Sequence, residues 1–276
     1  MTASQSEFAG PRRGPVKGRH LVSIAAYFSI FVLAEAIAAF ASDPGEATLG
    51  MVIQVLLLFT LLFHAALLSR TDKLFSRFLA VFALPPLIRI LSLSTPPTPF
   101  TVIQWLLIIS LPLLAAGATM AYVMKLRPRD VYLRLGGPRV LVLQAPIALS
   151  GLALGALEFL ILQPTEPWIP ALTLQHLIPA AIIIGIASGL AEELIFRGLI
   201  LPKSETILGR LPGLLFISLL FAAMHIGFRS AIDLVFVFGV GFYFGYVVQR
   251  TKSLYGVIFA HGLANVALYL ILPFYF

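Results

Sequence analysis

Nine stretches of this chain are each long and apolar enough to cross a bilayer, and that property decides what the chain can fold into. They lie at about 21–41, 48–69, 75–95, 100–124, 140–162, 171–200, 211–227, 232–249 and 253–272. A spanning helix needs about 20 mostly apolar residues, because each residue advances only about 1.5 Å. A backbone in lipid has no water to bond, so such stretches must satisfy their own N–H and C=O groups as helices. The expected fold is an all-α polytopic membrane protein, a bundle of about eight or nine transmembrane helices. The third stretch leaves the count open, because Pro85, Pro86 and Arg89 interrupt it and it reads as kinked, re-entrant or merged with its neighbour.

Of 276 residues, 59% are hydrophobic and 11% charged. Together with a mean hydropathy of +0.98, this leaves more apolar surface than a soluble domain hides. The formal charge of +7 would suggest nucleic acid in a soluble protein, but here the cations sit between apolar stretches and no nucleic-acid partner is expected. Alternate loops carry them. One set holds Arg12, Arg13, Lys17 and Arg19; Arg70, Lys73 and Arg77; Lys125, Arg127, Arg129, Arg134 and Arg139; Lys203 and Arg210; and Arg250 and Lys252. The other set holds Arg229 alone, with Asp43, Glu46 and Glu166. The positive-inside rule then places the N-terminus in the cytoplasm, and the expected location is a prokaryotic cell (inner) membrane.

Residues 1–20 read as a basic cytoplasmic tail. The apolar run that follows, with Ala39-Phe40-Ala41 at its end, is too long for the apolar part of a signal peptide and reads as a first span. The longest basic loop, 125–139, contains Pro128, Gly136, Gly137 and Pro138 and separates transmembrane helices at 21–124 from a second membrane part at 140–276. Small residues recur four apart, at Gly151 and Gly155, Gly185 and Gly189, and Gly241 and Gly245, a spacing that lets helix backbones approach in lipid. The chain has no cysteine, which removes disulfides, thiolate zinc sites and a cysteine nucleophile.

An ionisable side chain inside a bilayer costs about 2.5–3.5 kcal/mol, so each one needs a reason. The sixth stretch holds three within six residues, Glu192, Glu193 and Arg197. Glu193 and Arg197 are four apart and share a helix face, whereas Glu192 lies about 100° away and is free to face something else. The seventh stretch carries Phe221 and His225, and the ninth His261 and Asn265, each pair again four apart. Counted from the cytoplasmic ends at about 1.5 Å per residue, Glu192 lies about 12 Å in from residue 200 and His225 about 21 Å in from residue 211. His261 and Asn265 lie about 12 and 18 Å in from residue 253. The expectation is a common band between the cytoplasmic surface and mid-membrane.

The three motifs, Glu-Glu-x-x-x-Arg at 192–197, Phe-x-x-x-His at 221–225 and His-x-x-x-Asn at 261–265, resemble those of the CPBP family. That family includes the type II CAAX prenyl endopeptidases and the bacteriocin-processing or immunity membrane proteins. The likeness covers about residues 170–270, which makes 140–276 the expected catalytic part. It implies an intramembrane endopeptidase cutting a membrane-associated or lipid-modified peptide near the cytoplasmic face. By the same resemblance Glu192 is the general base for water, His225 holds that water, and His261 and Asn265 stabilise the oxyanion. Glu193, Arg197 and Phe221 support them. These roles suit their chemistry, since positioned bases and aligned donors act strongly in a dry site. Glu192, His225 and His261 also make up the donor set of a zinc site with an open position, without the His-Glu-x-x-His pairing of many zinc peptidases. No cofactor is the expectation and zinc the alternative.

Other polar residues are read as structural. His64 and His176 have no companion at helical spacing, Glu35 and Glu158 lie near the outer ends of their stretches, Arg89 is expected to snorkel or to meet a phosphate, and Ser188 is one turn before Glu192. Two other functions compete: a non-catalytic scaffold or bacteriocin-immunity protein of the same fold, and a proton-coupled transporter, against which stands the lack of internal repeats.

Overall fold

The computed structural model describes residues 18–95 and 98–276. Arg12, Arg13 and Lys17 of the expected tail lie outside the described residues, while residues 18–20 already belong to the first helix. Among the described residues there are no strands, and nine helices are long and apolar enough to cross a membrane. These are α1 (Gly18–Phe40), α2 (Pro44–Leu68), α3 (Lys73–Ser94), α4 (Val102–Val123), α5 (Pro138–Leu162), α6 (Leu174–Leu208), α7 (Arg210–Phe228), α8 (Ala231–Thr251) and α9 (Tyr255–Phe274). The chain is an integral membrane protein.

The helix starts follow capping chemistry. The Asp43 side chain accepts from the backbone N–H of Gly45 and Glu46 at 2.7 and 3.0 Å at the start of α2. Thr101 and Gln104 form a reciprocal capping box at the start of α4. The doubtful third stretch is a full crossing. It breaks only at Ala83, and Pro85 and Pro86 fall in the first turn of its second half, where a missing N–H loses no helical bond. In its most apolar window 61% is buried, against 22% for α1, α2 and α4. Its mixed composition is therefore that of a helix facing protein rather than lipid.

One apolar core runs through both sides of the basic loop, from Ile24 and Phe31 in α1 through Phe78 and Phe82 in α3 to Phe216 in α7 and Ala260 in α9. Lipid is as apolar as leucine, so this bundle is held by close packing rather than by transfer from water. The small-residue spacing serves that packing. A methyl on Gly151 of α5 would collide with the carbonyl oxygen of Ala260, and one on Gly155 with that of Ala264. On the other flank of α9, a methyl on Gly189 of α6 would lie 2.7 Å from the Ile258 carbonyl oxygen. Helix α9 is thus wedged between α5 and α6, which brings its remaining face, with His261 and Asn265, beside Glu192.

Candidate active site

Around the paired glutamates α6 widens into π-helical turns, over Gly185–Glu192 and again over Leu194–Ile200. Such i→i+5 turns are uncommon and concentrate at functional sites. Here they carry Glu192 to the wall of a cavity of about 350 Å³, while Glu193 and Arg197 on the other face are 0% exposed. Glu192, His225, His261 and Asn265, taken from three separate helices, all line this cavity.

Glu193 does more than pair with Arg197. Its Oε1 accepts from Arg197 Nη1 at 2.9 Å and also meets His261 Nδ1 at 2.9 Å. A carboxylate here requires the proton of a neutral His261 to sit on Nδ1, which leaves Nε2 free, an acceptor when neutral and a donor once protonated. Arg197 is packed among aromatic faces, its guanidinium carbon 4.3 Å from the Phe221 ring centroid and 5.6 Å from that of Phe244. The Phe221 ring centroid lies in turn 5.1 Å from that of His225, in a tilted contact, and 5.9 Å from that of His261, in an edge-on one. One ring therefore spaces the two imidazoles.

His225 lies where α7 leaves regular helix, at φ −100° and ψ 5°, a sparsely populated region that site residues often occupy. Its Nδ1 is 3.0 Å from the Phe221 carbonyl oxygen. A carbonyl only accepts, so Nδ1 carries the proton and Nε2 presents a lone pair. Glu192 and Asn265 make no hydrogen bond within the described residues, and both are partly accessible. Two buried-end polar groups without internal partners, facing a hollow beside two oriented imidazoles, leave room for a water and a peptide group.

The imidazoles thus have the tautomer that a metal would require. Among the described residues, however, no three His, Asp or Glu side chains gather closely enough to hold a metal ion.

Several residues read from the sequence as peripheral belong to the cavity or its supports. Arg89 does not snorkel. It forms an ion pair with Glu35 at 2.5 Å and donates to the Met224 carbonyl oxygen at 2.6 Å, holding the backbone next to His225. Glu35 is not bathed by headgroup water but is 2% exposed, with Gln54 Nε2 2.7 Å from its Oε1. Both Glu35 and Arg89 lie five residues from the outer ends of their helices, and that equal depth was the available signal. Glu158 lines the cavity instead of facing headgroups, and Ser188 also lines it. Ile88 and Ser92 of α3 and Val102, Trp105 and Ile109 of α4 complete the wall, so the third and fourth spans take part in the site. His64, bonded to the Tyr27 hydroxyl at 2.8 Å, and His176, bonded to Thr173 Oγ1 at 2.9 Å, stay outside it.

The expected depth needs correction. Helix α6 continues to Leu208, so Glu192 is 16 residues, about 24 Å, from its basic end, and His225 is 15 residues, about 22 Å, from Arg210. The count along α6 is longer than expected because this helix runs eight residues further than its apolar stretch, which puts Glu192 close to its middle, while His225 lies three residues from the far end of α7. On α9 His261 is only six residues from Tyr255, since α9 begins deep in the protein, above a folded basic loop.

With this geometry in hand, residues 174–267 match the model of one family, described as type II CAAX prenyl endopeptidase Rce1-like. Over those residues, about a third of the chain, the protein is similar to that family. The Rce1-like segment opens at the first residue of α6 and closes in α9 beyond Asn265, so it carries all three motifs. The family is one of CAAX-type membrane proteases. No curated protein and no solved structure matches the chain.

Proposed function

We propose that the protein is an intramembrane endopeptidase that hydrolyses a peptide bond of a membrane-associated or lipid-modified substrate with water activated by Glu192. The supporting observation is the cavity that Glu192 and Asn265, without hydrogen-bond partners among the described residues, line together with His225 and His261. A water between Glu192 and His225 gives one proton to the Glu192 carboxylate and directs the other to His225 Nε2. Its oxygen bonds to the scissile carbonyl carbon, and the carbonyl π electrons move onto oxygen. The Asn265 amide N–H donates to that oxyanion, as does His261 Nε2 when protonated. Collapse breaks the C–N bond, and Glu192 returns its proton to the leaving nitrogen, giving a carboxylic acid and an amine. The proposal is metal-free and assigns the chemistry to 140–276, with α3 and α4 walling the cavity.

The test is hydrolysis of membrane peptides by purified protein, with Glu192→Ala and His225→Ala as variants. Loss of a positioned general base costs about 10²–10⁴ in rate. Both variants are expected to stay monodisperse and to lose cleavage, and chelators to leave the parent rate unchanged. Full activity of both variants removes these assignments, and chelator inhibition reversed by zinc removes the metal-free mechanism.

A further inference from the structure

We infer that the cavity is loaded from the extracytoplasmic side, so that its substrate is a membrane-anchored peptide segment presented at the outer leaflet rather than the cytoplasmic tail of a lipid-modified protein. The substrate half of this inference rests on the peptidase reading above. The access half rests on three independent features of the bundle.

The first is charge. The helix ends at 70–73, 125–139, 203–210 and 250–252 carry eleven Lys and Arg residues, whereas the opposite ends carry Arg229 alone. Even Arg229 is engaged, donating from Nε to the Ala39 carbonyl oxygen at 2.6 Å and lying 5.7 Å from the Phe40 ring. Loops rich in Lys and Arg remain in the cytoplasm, so the cation-poor end faces out.

The second is the rim. The cavity is edged by Ser92, Val102, Trp105, Trp168 and Phe228, all within a few residues of the cation-poor helix ends. Val102 is 41% exposed and Phe228 48%. The chain has two tryptophans, and both are on this rim. Tryptophan concentrates at the membrane–water interface, which puts the mouth at headgroup level. Trp168 is fixed there, stacked 3.7 Å from Tyr269 and bonded through its backbone N–H to the Tyr269 carbonyl oxygen at 3.0 Å.

The third is the floor. Toward the cationic end the cavity stops at Phe196, Phe221 and Phe244, which are 1%, 2% and 1% exposed, with Arg197 packed behind them. The basic loop is folded over this floor. The Leu254 N–H donates to the Tyr132 carbonyl oxygen at 3.0 Å, Arg134 Nε to that of Lys252 at 3.0 Å, and a methyl on Gly198 would sit 3.1 Å from the Val131 carbonyl oxygen. A peptide entering from the cytoplasm would have to displace that loop and the aromatic floor. One entering from outside meets an open rim.

Because the chain has no cysteine, single cysteines report access directly. Glu166→Cys marks the cation-poor face, Arg129→Cys the basic loop, Glu158→Cys the cavity wall, and Ser92→Cys, a near-isosteric change, the rim. Each variant is treated with a charged, membrane-impermeant maleimide in sealed right-side-out and in inverted vesicles. Glu166→Cys, Ser92→Cys and Glu158→Cys are expected to react at least about ten-fold faster in right-side-out vesicles, and Arg129→Cys in inverted ones. The inference is overturned if Glu166→Cys reacts from inside, or if the cavity cysteines follow Arg129→Cys or react from neither side. Labelling needs no substrate and should persist in Glu192→Ala, so a protein that labels as expected yet cleaves nothing loses the peptidase reading and keeps the outward mouth. In a cleaving preparation, maleimide added outside to Ser92→Cys should block hydrolysis, and continued cleavage would refute outer-leaflet loading.

Discussion

Replacing Glu193 by glutamine removes one charge and no volume, and its effects on folding and on chemistry can be worked out separately. Oxygen Oε1 of Glu193 serves Arg197 and His261 together, each at 2.9 Å, and both Glu193 and Arg197 are sealed from solvent. In Glu193→Gln the buried guanidinium keeps a long bond to the Gly241 carbonyl oxygen at 3.4 Å and the face of Phe221. Breaking one side of a buried ion pair costs about 3–5 kcal/mol, because the surviving charge is left uncompensated. The amide also disturbs catalysis. Because one oxygen serves both partners, an NH₂ in its place faces the guanidinium and His261 Nδ1 together and forces the ring proton onto Nε2, whereas a carbonyl there keeps both bonds without the charge that favours an imidazolium. Where a carboxylate that orients a catalytic histidine becomes an amide, the wrong tautomer has cost about 10⁴ in rate. We expect Glu193→Gln to unfold earlier in detergent thermal melts, and its folded fraction to cleave at least about 10²-fold more slowly. Adding Arg197→Met to Glu193→Gln should restore part of the lost stability but not the rate, a coupling visible in a double-mutant cycle. A Glu193→Gln protein with parental melting and parental kcat would refute both the buried pair and the tautomer argument.

Arg89→Ala should lower kcat by at least about ten-fold by freeing the backbone at Met224, and adding Glu35→Gln should recover stability without recovering rate, measured by melting and cleavage in parallel. Gly151→Val sets a branched side chain against the Ala260 carbonyl, which α5 relieves only by moving away from α9; a loss of about 1–3 kcal/mol by denaturant titration is expected, and an unchanged midpoint would refute the contact. Tyr132, in the basic loop, has its phenol pushed up from 10.0 to about 12, chiefly by burial. Below pH 10 its contribution to stability is fully present, and as pH rises from 10 toward 12 the unfolded chain sheds this proton first, so stability falls. Tyr132→Phe should flatten that alkaline slope in melts recorded between pH 9 and 12, and an identical slope would show that the buried phenol does not carry it.

How much of this protein is written in its sequence depends on which force reads it. Most of the spans and the asymmetry of the loops follow from composition along the chain, because a bilayer tests each window of about 20 residues by itself. Helix α3 looked doubtful for a physical reason: hydropathy measures fitness for lipid, and this helix meets protein. The motif residues were also legible, since i, i+4 spacing puts His261 and Asn265 on one face whatever surrounds them.

Which faces meet was decided only by the tertiary structure. Equal depth in their helices is the one hint that Glu35, 54 positions earlier, would neutralise Arg89, and nothing in the sequence indicates that Met224 would accept its hydrogen bond. The second bond of Glu193 to His261 likewise appears only once Gly151, Gly155 and Gly189 let α9 sink between its neighbours. The residue counts to the site differ between helices for the same reason, because a rise per residue measures distance along one helix and not the height at which that helix starts. Spans, topology and chemistry-bearing residue types are local properties of a chain in lipid. The cavity, its open rim and the tautomers of its histidines belong to contacts between distant segments, and those exist only when the helices are packed.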